Sequence, residues 1–120
     1  MLPFKNRLSK KTDHERVQKL GYFSSLNNVT IKSLKNDLKE TRIGIVVGFK
    51  FSKKAVERNQ VKRILRDIFH AELKNMEKGW DIVVMARKRE EEKTKSINFK
   101  KNVIELLDKS NILINKKTAK

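Results

Sequence analysis

The first regular pattern along the chain predicts a short helix over residues 12–20. Thr12 and Asp13 are residues of the kind that cap helix N-termini, and Glu15 follows Thr12 by three positions, which completes a capping-box pattern. Gly21 comes directly after the segment and serves as a stop, because glycine commonly occupies the position that ends a helix. The pattern therefore predicts a short helix with a narrow apolar side.

Three further segments have the patterns of strands. Residues 26–34 alternate weakly between apolar and polar side chains, as in a strand with one solvent-facing side. Residues 42–49 are a clearer apolar strand, in which Gly44 and Gly48 leave room for a close backbone approach or a bulge. Residues 81–87 form a short apolar run that suits a buried strand.

The longest helical pattern spans residues 54–77 and is followed by Gly79. Its apolar residues fall on one arc of about 100°, and they are Val61, Ile64, Leu65 and Ile68. The opposite arc carries Arg58, Asn59, Lys62, Arg63 and Arg66. A last helix is predicted over residues 96–108, with Ser96 as its cap and with Phe99, Val103, Leu106 and Leu107 on its buried side.

These elements follow the order α-β-β-α-β-α. Such an order predicts an α+β fold, an α/β sandwich in which helices cover a small mixed sheet. The strand at 42–49, the long helix and the strand at 81–87 would form one βαβ crossover. We expect a single domain over residues 1–114, followed by a basic, disordered tail over residues 115–120.

Charge is the first indication of function. Thirty Lys and Arg oppose fourteen Asp and Glu, and the net charge is +16. Such a charge repels itself in the folded state, so a polyanionic partner is expected, and nucleic acid comes before a membrane surface. The chain has no cysteine and no apolar run of the length of a signal peptide or of a span of about 18–20 residues. We therefore expect a cytoplasmic protein without a membrane partner.

The cations concentrate in one segment, Lys50–Arg66, which reads KFSKKAVERNQVKRILR. Seven of its seventeen residues are Lys or Arg, against one Glu. Solvated helix faces usually alternate sign to form pairs at i,i+4, but here like charges stand four apart, at Lys54, Arg58, Lys62 and Arg66. A repulsive face of this kind indicates a polyanion, and RNA phosphates fit it.

The same segment resembles the protein subunit of bacterial ribonuclease P, whose motif is an Arg-Asn-Arg core followed by Lys-Arg. The matching residues are Ala55, Arg58, Asn59, Lys62, Arg63 and Arg66, with Gly44 and Lys50 upstream. Phe49 stands where the family has the other lysine of a pair, and Gln60 replaces the last arginine of the core. The resemblance extends over about residues 6–88, because Asn6, Arg7 and Leu8 resemble the family's opening and 81–87 its last strand.

The resemblance implies a fold with a left-handed βαβ crossover, although about 98% of crossovers are right-handed. It implies the protein subunit of an endoribonuclease that removes the 5′ leader of precursor tRNA. The partners would be the catalytic RNA subunit and the 5′ leader, with no obligate protein partner. The RNA, with Mg²⁺ bound mainly to it, would carry out the hydrolysis, so no catalytic or metal-binding residue is expected in this chain.

Two groups of RNA-binding residues follow from this resemblance. The first is expected to bind the catalytic RNA and comprises Arg7, Lys50, Lys53, Lys54, Arg58, Asn59, Lys62, Arg63 and Arg66. The second would line a cleft for the leader, between the first helix and the sheet, and comprises His14, Gln18 and Lys32. Relatives offer aromatic rings there, which stack on unpaired bases. Tyr22 and Phe23 are nearby substitutes, although we expect them to pack in the core.

Other functions fit less well. A nuclease acting without RNA would need paired histidines or a carboxylate cluster, yet the only histidines are His14 and His70. The acidic run at 90–92 lies between lysines and is explained by charge solvation. A DNA-binding protein would usually show a helix-turn-helix. A structural RNA-binding protein, such as a ribosomal protein, is the main alternative.

Overall fold

The structure is a computed structural model and describes residues 2–89 and 91–113. Its helices and strands are α1 Lys11–Leu20, β1 Tyr22–Leu26, β2 Val29–Lys35, β3 Arg42–Val46, α2 Ala55–Glu72, β4 Trp80–Ala86 and α3 Phe99–Lys109. The α+β class is confirmed, and the predicted elements occur in the predicted order with β1 as an additional strand. The tail predicted over residues 115–120 lies outside the described residues.

The additional strand, β1, pairs antiparallel with β2 through a tight turn. Its sequence, YFSSL, is too short and too polar to show a clear strand pattern. Asn27 in the turn has φ 51°, a left-handed conformation that asparagine tolerates better than most residues. The strand therefore depends on pairing with its neighbour more than on its own side chains.

The four strands form one mixed sheet in the order β1-β2-β4-β3. β2 is antiparallel to both of its neighbours, whereas β3 and β4 are parallel. Parallel neighbours need a crossover connection, and α2 provides it, so the predicted βαβ unit is confirmed. Its hand stays a prediction.

The sheet has a thick apolar layer on one face and a thin one on the other. The thick layer holds α2 and α3 against β2, β3 and β4. On the opposite face α1 contributes Val17, which packs with Leu8 and Val83. The solvent-facing side expected for the strand at 26–34 is wrong in part, because Thr30 is buried on that side. The apolar contact between α1 and the sheet is therefore small.

The buried stripe of α2 differs slightly from the predicted one. Val61, Leu65 and Phe69 are fully buried at intervals of four residues, and Ile68 is partly buried. Ile64 is 42% exposed, so its predicted core position is wrong. Val61, Leu65 and Phe69 belong to the core cluster and Ile68 packs against it, whereas Ile64 lies outside it. α2 also ends at Glu72 rather than at residue 77, because the chain tightens into a 3-10 turn.

Two predicted helix caps are wrong. α1 begins one residue earlier, with Lys10 in the cap position and no side-chain cap, so Thr12 and Asp13 lie inside the helix. Asp13 instead contacts Arg42 of β3. At α3 the cap is Asn98, whose side chain accepts a hydrogen bond from the Lys101 amide at 3.0 Å, in place of Ser96.

A buried ion network ties α1 to the sheet. Asp81 is 1% exposed and accepts two hydrogen bonds from Arg42, at 2.9 and 2.7 Å. The Asn36 amide donates a third bond to Asp81 at 2.7 Å, and Arg42 reaches Asp13 at 3.3 Å. The hydrogen bond to Asp81 is the main cause that raises the pKa of Arg42 above its ordinary value. The network fixes where α1 sits.

The N-terminal segment covers part of the β3 edge of the sheet. Arg7 forms a parallel bridge with Ile43, and the Leu8 amide donates to the Ile43 carbonyl at 3.0 Å. The Asn6 side chain donates to the Thr41 carbonyl at 2.8 Å. This places Arg7 beside α1 and α2. In the described part of the chain, no helix is long and apolar enough to cross a membrane.

Candidate nucleic-acid interface

One face of α2 and the loop before it form a surface that we call the cationic surface. It consists of Lys50, Lys53, Lys54, Arg58, Asn59, Lys62, Arg63 and Arg66. All are exposed except Arg58 and Lys62, which are half-buried. Burial of Val61, Leu65 and Phe69 on the sheet turns this face outward. Eight of the nine residues predicted to bind the catalytic RNA therefore lie together.

The ion pairs between described residues do not involve the cationic surface, although the charge of Lys54 contributes to lowering the pKa of Glu57. Within residues 2–89 and 91–113 the ion pairs are formed by Lys5, Arg42 and Arg89, and none by a cation of this surface. Glu57 accepts a hydrogen bond from the Thr94 hydroxyl at 2.6 Å. Hydrogen bonds from Ser52 and Thr94 lower the pKa of Glu57 below its ordinary value. This carboxylate is held at the edge of the surface.

Arg58 has a defined position on this surface. Its guanidinium donates a hydrogen bond to the Ser52 carbonyl at 2.9 Å. The guanidinium carbon lies 4.6 Å from the centroid of the Phe49 ring, within the range of a cation–π contact. The residue that departs from the family's lysine pair therefore supports the first arginine of the motif. The sequence signal that could have indicated this contact is Phe49 itself, an aromatic residue beside a cluster of charged ones.

The other departure from the motif, Gln60, lies apart from the cationic surface. It borders a groove between α2 and the segment leading into α3, together with Ile64 and Ile68. The rim of this groove includes Lys93 and Lys95. The substitution at this position therefore changes the opposite border of α2 and leaves the row from Lys54 to Arg66 intact.

Arg7, the ninth residue, lines a depression around the β3 edge. The depression measures about 370 Å³ and also includes His14 of α1, Gly44 of β3 and Arg66 of α2. Because β3 is an edge strand, side chains from both faces of the sheet meet there. The cationic surface thus continues past Arg66 to the side of the sheet that α1 covers.

We use the name α1 cleft for the region between α1 and the sheet where the predicted leader-binding residues His14, Gln18 and Lys32 lie. The His14 Nε2 atom lies 2.5 Å from the Leu8 carbonyl oxygen, and Lys32 donates to the Gln18 carbonyl at 2.6 Å. Gln18 contacts the Met85 sulfur at 3.8 Å. All three predicted residues are half-buried. Contacts within the fold therefore hold all three side chains.

Gly44 permits the close approach of α1 at one end of this cleft. A Cβ atom at Gly44 would lie 2.5 Å from Cε1 and 2.6 Å from Nε2 of His14. No atom lies within 4 Å of a Cβ atom placed at Gly48. The close backbone approach predicted from the two glycines is therefore confirmed for Gly44 and wrong for Gly48.

The aromatic residues near the cleft are exposed. Tyr22 is 70% and Phe23 57% exposed, so their predicted core positions are wrong. β1 is an edge strand, and in the described part of the chain its far edge pairs with no other strand. Phe23 is the cross-strand partner of Lys32, and directly opposed residues share a face of the sheet. Phe23 therefore lies on the α1 side, and Tyr22, opposite Ser33, on the other.

Comparison with known proteins decides the family. The model of the family Ribonuclease P matches residues 2–111. The chain belongs to the ribonuclease P protein family. A Ribonuclease P protein component of Dehalococcoides mccartyi is 36% identical over 118 residues, which cover 95% of this chain and 93% of that relative. One of Stutzerimonas stutzeri is 47% identical over 62 residues, 51% of this chain and 46% of the relative. The chain thus matches about half the length of the latter.

Solved structures of the family share the fold. The RNase P protein of Thermotoga maritima has a TM-score of 0.76 at 33% identity, over 86% of this chain and 96% of that one. The RNase P protein of Staphylococcus aureus has a TM-score of 0.78 at 24% identity, over 90% and 97%. The fold predicted from the resemblance to ribonuclease P proteins is therefore confirmed.

Proposed function

We propose that this chain is the protein subunit of a ribonuclease P ribonucleoprotein, which removes the 5′ leader of precursor tRNA. The observation that carries the proposal is the cationic surface in a chain of this family. Each phosphate that it neutralises would release counterions, so the contact would contribute affinity that falls with salt. Arg58 and Arg63 can bind phosphate through two parallel hydrogen bonds. Asn59 can donate to, or accept from, a ribose hydroxyl.

The α1 cleft is the proposed binding place of the leader. A single strand needs cations for its backbone and flat rings for its bases. Lys32 provides a cation and His14 a small ring. Phe23 adds a larger ring on the same side of the sheet. The depression between His14 and Arg66 joins the cleft to the cationic surface. One RNA bound to α2 could therefore present a second strand to α1.

Hydrolysis is assigned to the RNA subunit in this proposal. No group of three or more His, Asp or Glu side chains that could hold a metal ion occurs in residues 2–89 and 91–113. The Mg²⁺ that the family resemblance implies would be bound mainly by the RNA. The protein would position both RNAs and screen their mutual repulsion.

Reconstitution tests the proposal. Full-length protein is combined with a bacterial ribonuclease P catalytic RNA and Mg²⁺, and release of the 5′ leader from labelled precursor tRNA is measured at low salt. We expect no cleavage by protein alone and faster cleavage by the mixture than by RNA alone. A precursor with a leader should gain more affinity than mature tRNA, because only the former reaches the α1 cleft.

Two results would contradict the proposal. Cleavage by RNA-free protein would place the chemistry in this chain. Equal rates with and without the protein, together with recovery of the protein on ribosomal subunits, would favour a structural RNA-binding protein. An Arg58→Ala and Arg63→Ala double variant serves as the negative control, because it removes cations from the surface without touching the core.

A further inference from the structure

Two exposed apolar side chains lie among the residues of the cationic surface, and the charge of that surface does not explain them. Phe49 is 73% exposed and Val56 is 72% exposed. The core does not need the Phe49 ring, since Phe51 fills the nearby core position at 3% exposure, with its ring centroid 6.3 Å from that of Phe99. An exposed phenylalanine loses favourable burial energy. A partner that covers the ring would restore it.

The structure also holds the ring in a defined orientation. Arg58 lies 4.6 Å from the Phe49 centroid on one face, and its hydrogen bond to the Ser52 carbonyl fixes the guanidinium. A ring backed by a guanidinium loses little conformational freedom when something stacks on its other face. With 73% of Phe49 exposed, there is room for a flat partner.

Charge decides what kind of partner fits. Lys50, Lys53 and Lys54 are exposed in the same loop, and no described carboxylate pairs with them. A base of single-stranded RNA has a flat face for the ring and phosphates on either side for the lysines. A base inside a duplex presents no free face.

We propose that Phe49 is a stacking platform for an unpaired base, held between the ring and the phosphate-binding lysines of the loop. This rests on the proposed function in that the base belongs to the RNA bound by the cationic surface. The platform adds a stacking contact, independent of salt, to a surface that otherwise binds through charge. Val56 is equally exposed but has no aromatic face, so it takes no part.

Binding of two RNA probes tests the platform. The first is a labelled oligoadenylate of about 12 nucleotides, and the second a blunt-ended RNA duplex with about the same number of phosphates. Phe49→Ala should weaken oligoadenylate binding about tenfold, and it should leave duplex binding unchanged. The slope of log Kd against log salt should stay as in the wild type, because stacking releases no counterions.

Three variants separate stacking from other effects. Phe49→Trp should bind oligoadenylate at least as well as the wild type, whereas Phe49→Leu, which keeps apolar bulk, should resemble Phe49→Ala. Val56→Ala is the matched control and should change neither probe. A 2-aminopurine base in the strand should lose fluorescence on binding to the wild type and keep it with Phe49→Leu.

The proposal fails if Phe49→Ala and Val56→Ala bind oligoadenylate alike. It also fails if Phe49→Ala weakens both probes and lowers the salt slope, since the ring would then only position Arg58. These outcomes are independent of the reconstitution assay. If reconstitution succeeds but Phe49→Ala has no effect, only the stacking proposal is contradicted. If Phe49→Ala weakens oligoadenylate binding but reconstitution fails, the stacking proposal stands and the proposed ribonuclease P function is contradicted.

Discussion

The cationic surface and the α1 cleft both derive from one family resemblance, yet their polar groups are in different states. On the cationic surface all cations except the half-buried Arg58 and Lys62 are exposed, and none forms an ion pair with a described carboxylate. In the cleft, Lys32 is held by the Gln18 carbonyl at 2.6 Å and His14 lies against the Leu8 carbonyl at 2.5 Å. Within the described residues, a backbone carbonyl holds only Arg58 among the cations of the first region, whereas backbone carbonyls hold both Lys32 and His14 in the second.

The difference indicates a division of labour. Exposed lysines and arginines follow any phosphate backbone and provide affinity that salt weakens. Fixed groups lose little freedom when they bind, so they can distinguish one strand geometry from another. We therefore expect changes on α2 to act on affinity for RNA in general. Changes beneath α1 should act on stability and on discrimination between substrates.

The largest expected effect lies beneath the α1 cleft. Asp81→Ala would leave Arg42, whose side chain is only 22% exposed, without its main partner. Removing one member of such a pair costs about 3–5 kcal/mol, to be measured by urea denaturation. Glu40→Ala is the control, because its pair with Lys5 is exposed and worth less than about 1 kcal/mol. Similar losses for both variants would contradict the role given to this network.

The next effect compares the two regions directly. Arg63→Ala should weaken binding to the catalytic RNA several-fold and lower the salt slope by about 0.7–0.9, as for one lost phosphate contact. Lys32→Ala should change that slope less, because the Gln18 carbonyl already occupies its ammonium group. Lys109→Ala, at the exposed end of α3, is the control for charge alone. Equal slopes for all three variants would remove the distinction between the regions.

A smaller effect should come from the contact between α1 and β3. Gly44→Ala should displace the His14 ring and cost about 1 kcal/mol in unfolding free energy, whereas Gly48→Ala should be neutral because the space there is open. In a double-mutant cycle, His14→Ala should recover part of the loss. Additive losses would show that the ring is not the obstacle.

The smallest expected effect concerns stability at acidic pH. The folded-state pKa of Glu57 is lowered, so its contribution to folding stability is complete above the ordinary pKa of 4.5 and is lost as the pH falls through the lowered value. Thr94→Val should raise the pKa of Glu57 toward the ordinary value, while Ser96→Ala should leave it unchanged. The titration can be followed by NMR. An unchanged pKa in Thr94→Val would assign the shift to Ser52 and to the charges of Lys88 and Lys54.

The elements that could be predicted from the sequence are those with a strong periodicity and one clearly apolar face. α2 and its cations could be predicted because Val61 and Leu65 fix one side of a helix and leave the other to solvent. β1 could not, because its strand conformation depends on pairing with β2. The cap at Thr12 failed for a similar reason, since Asp13 pairs with Arg42, which only the fold brings near. The cap at Ser96 failed differently, because Asn98 caps α3 locally through the Lys101 amide, three residues ahead.

The site was predicted unevenly for the same physical cause. Exposed cations at helical spacing need no partner to be recognised, and eight of nine meet on one surface. The state of His14 and Lys32 depends on carbonyl groups that no spacing indicates. The role of Phe49 under Arg58 arises where a loop folds back on a helix.

The N-terminal segment on β3 also affects how the protein behaves at high concentration. An uncovered edge strand is a template for pairing with another chain. Arg7 and Leu8 occupy part of that position on Ile43. Removing this segment for crystallisation or tagging would therefore expose an unpaired edge strand that can pair with another chain, and it would also remove a cation. Self-association of the trimmed protein could then be mistaken for a change in RNA recognition.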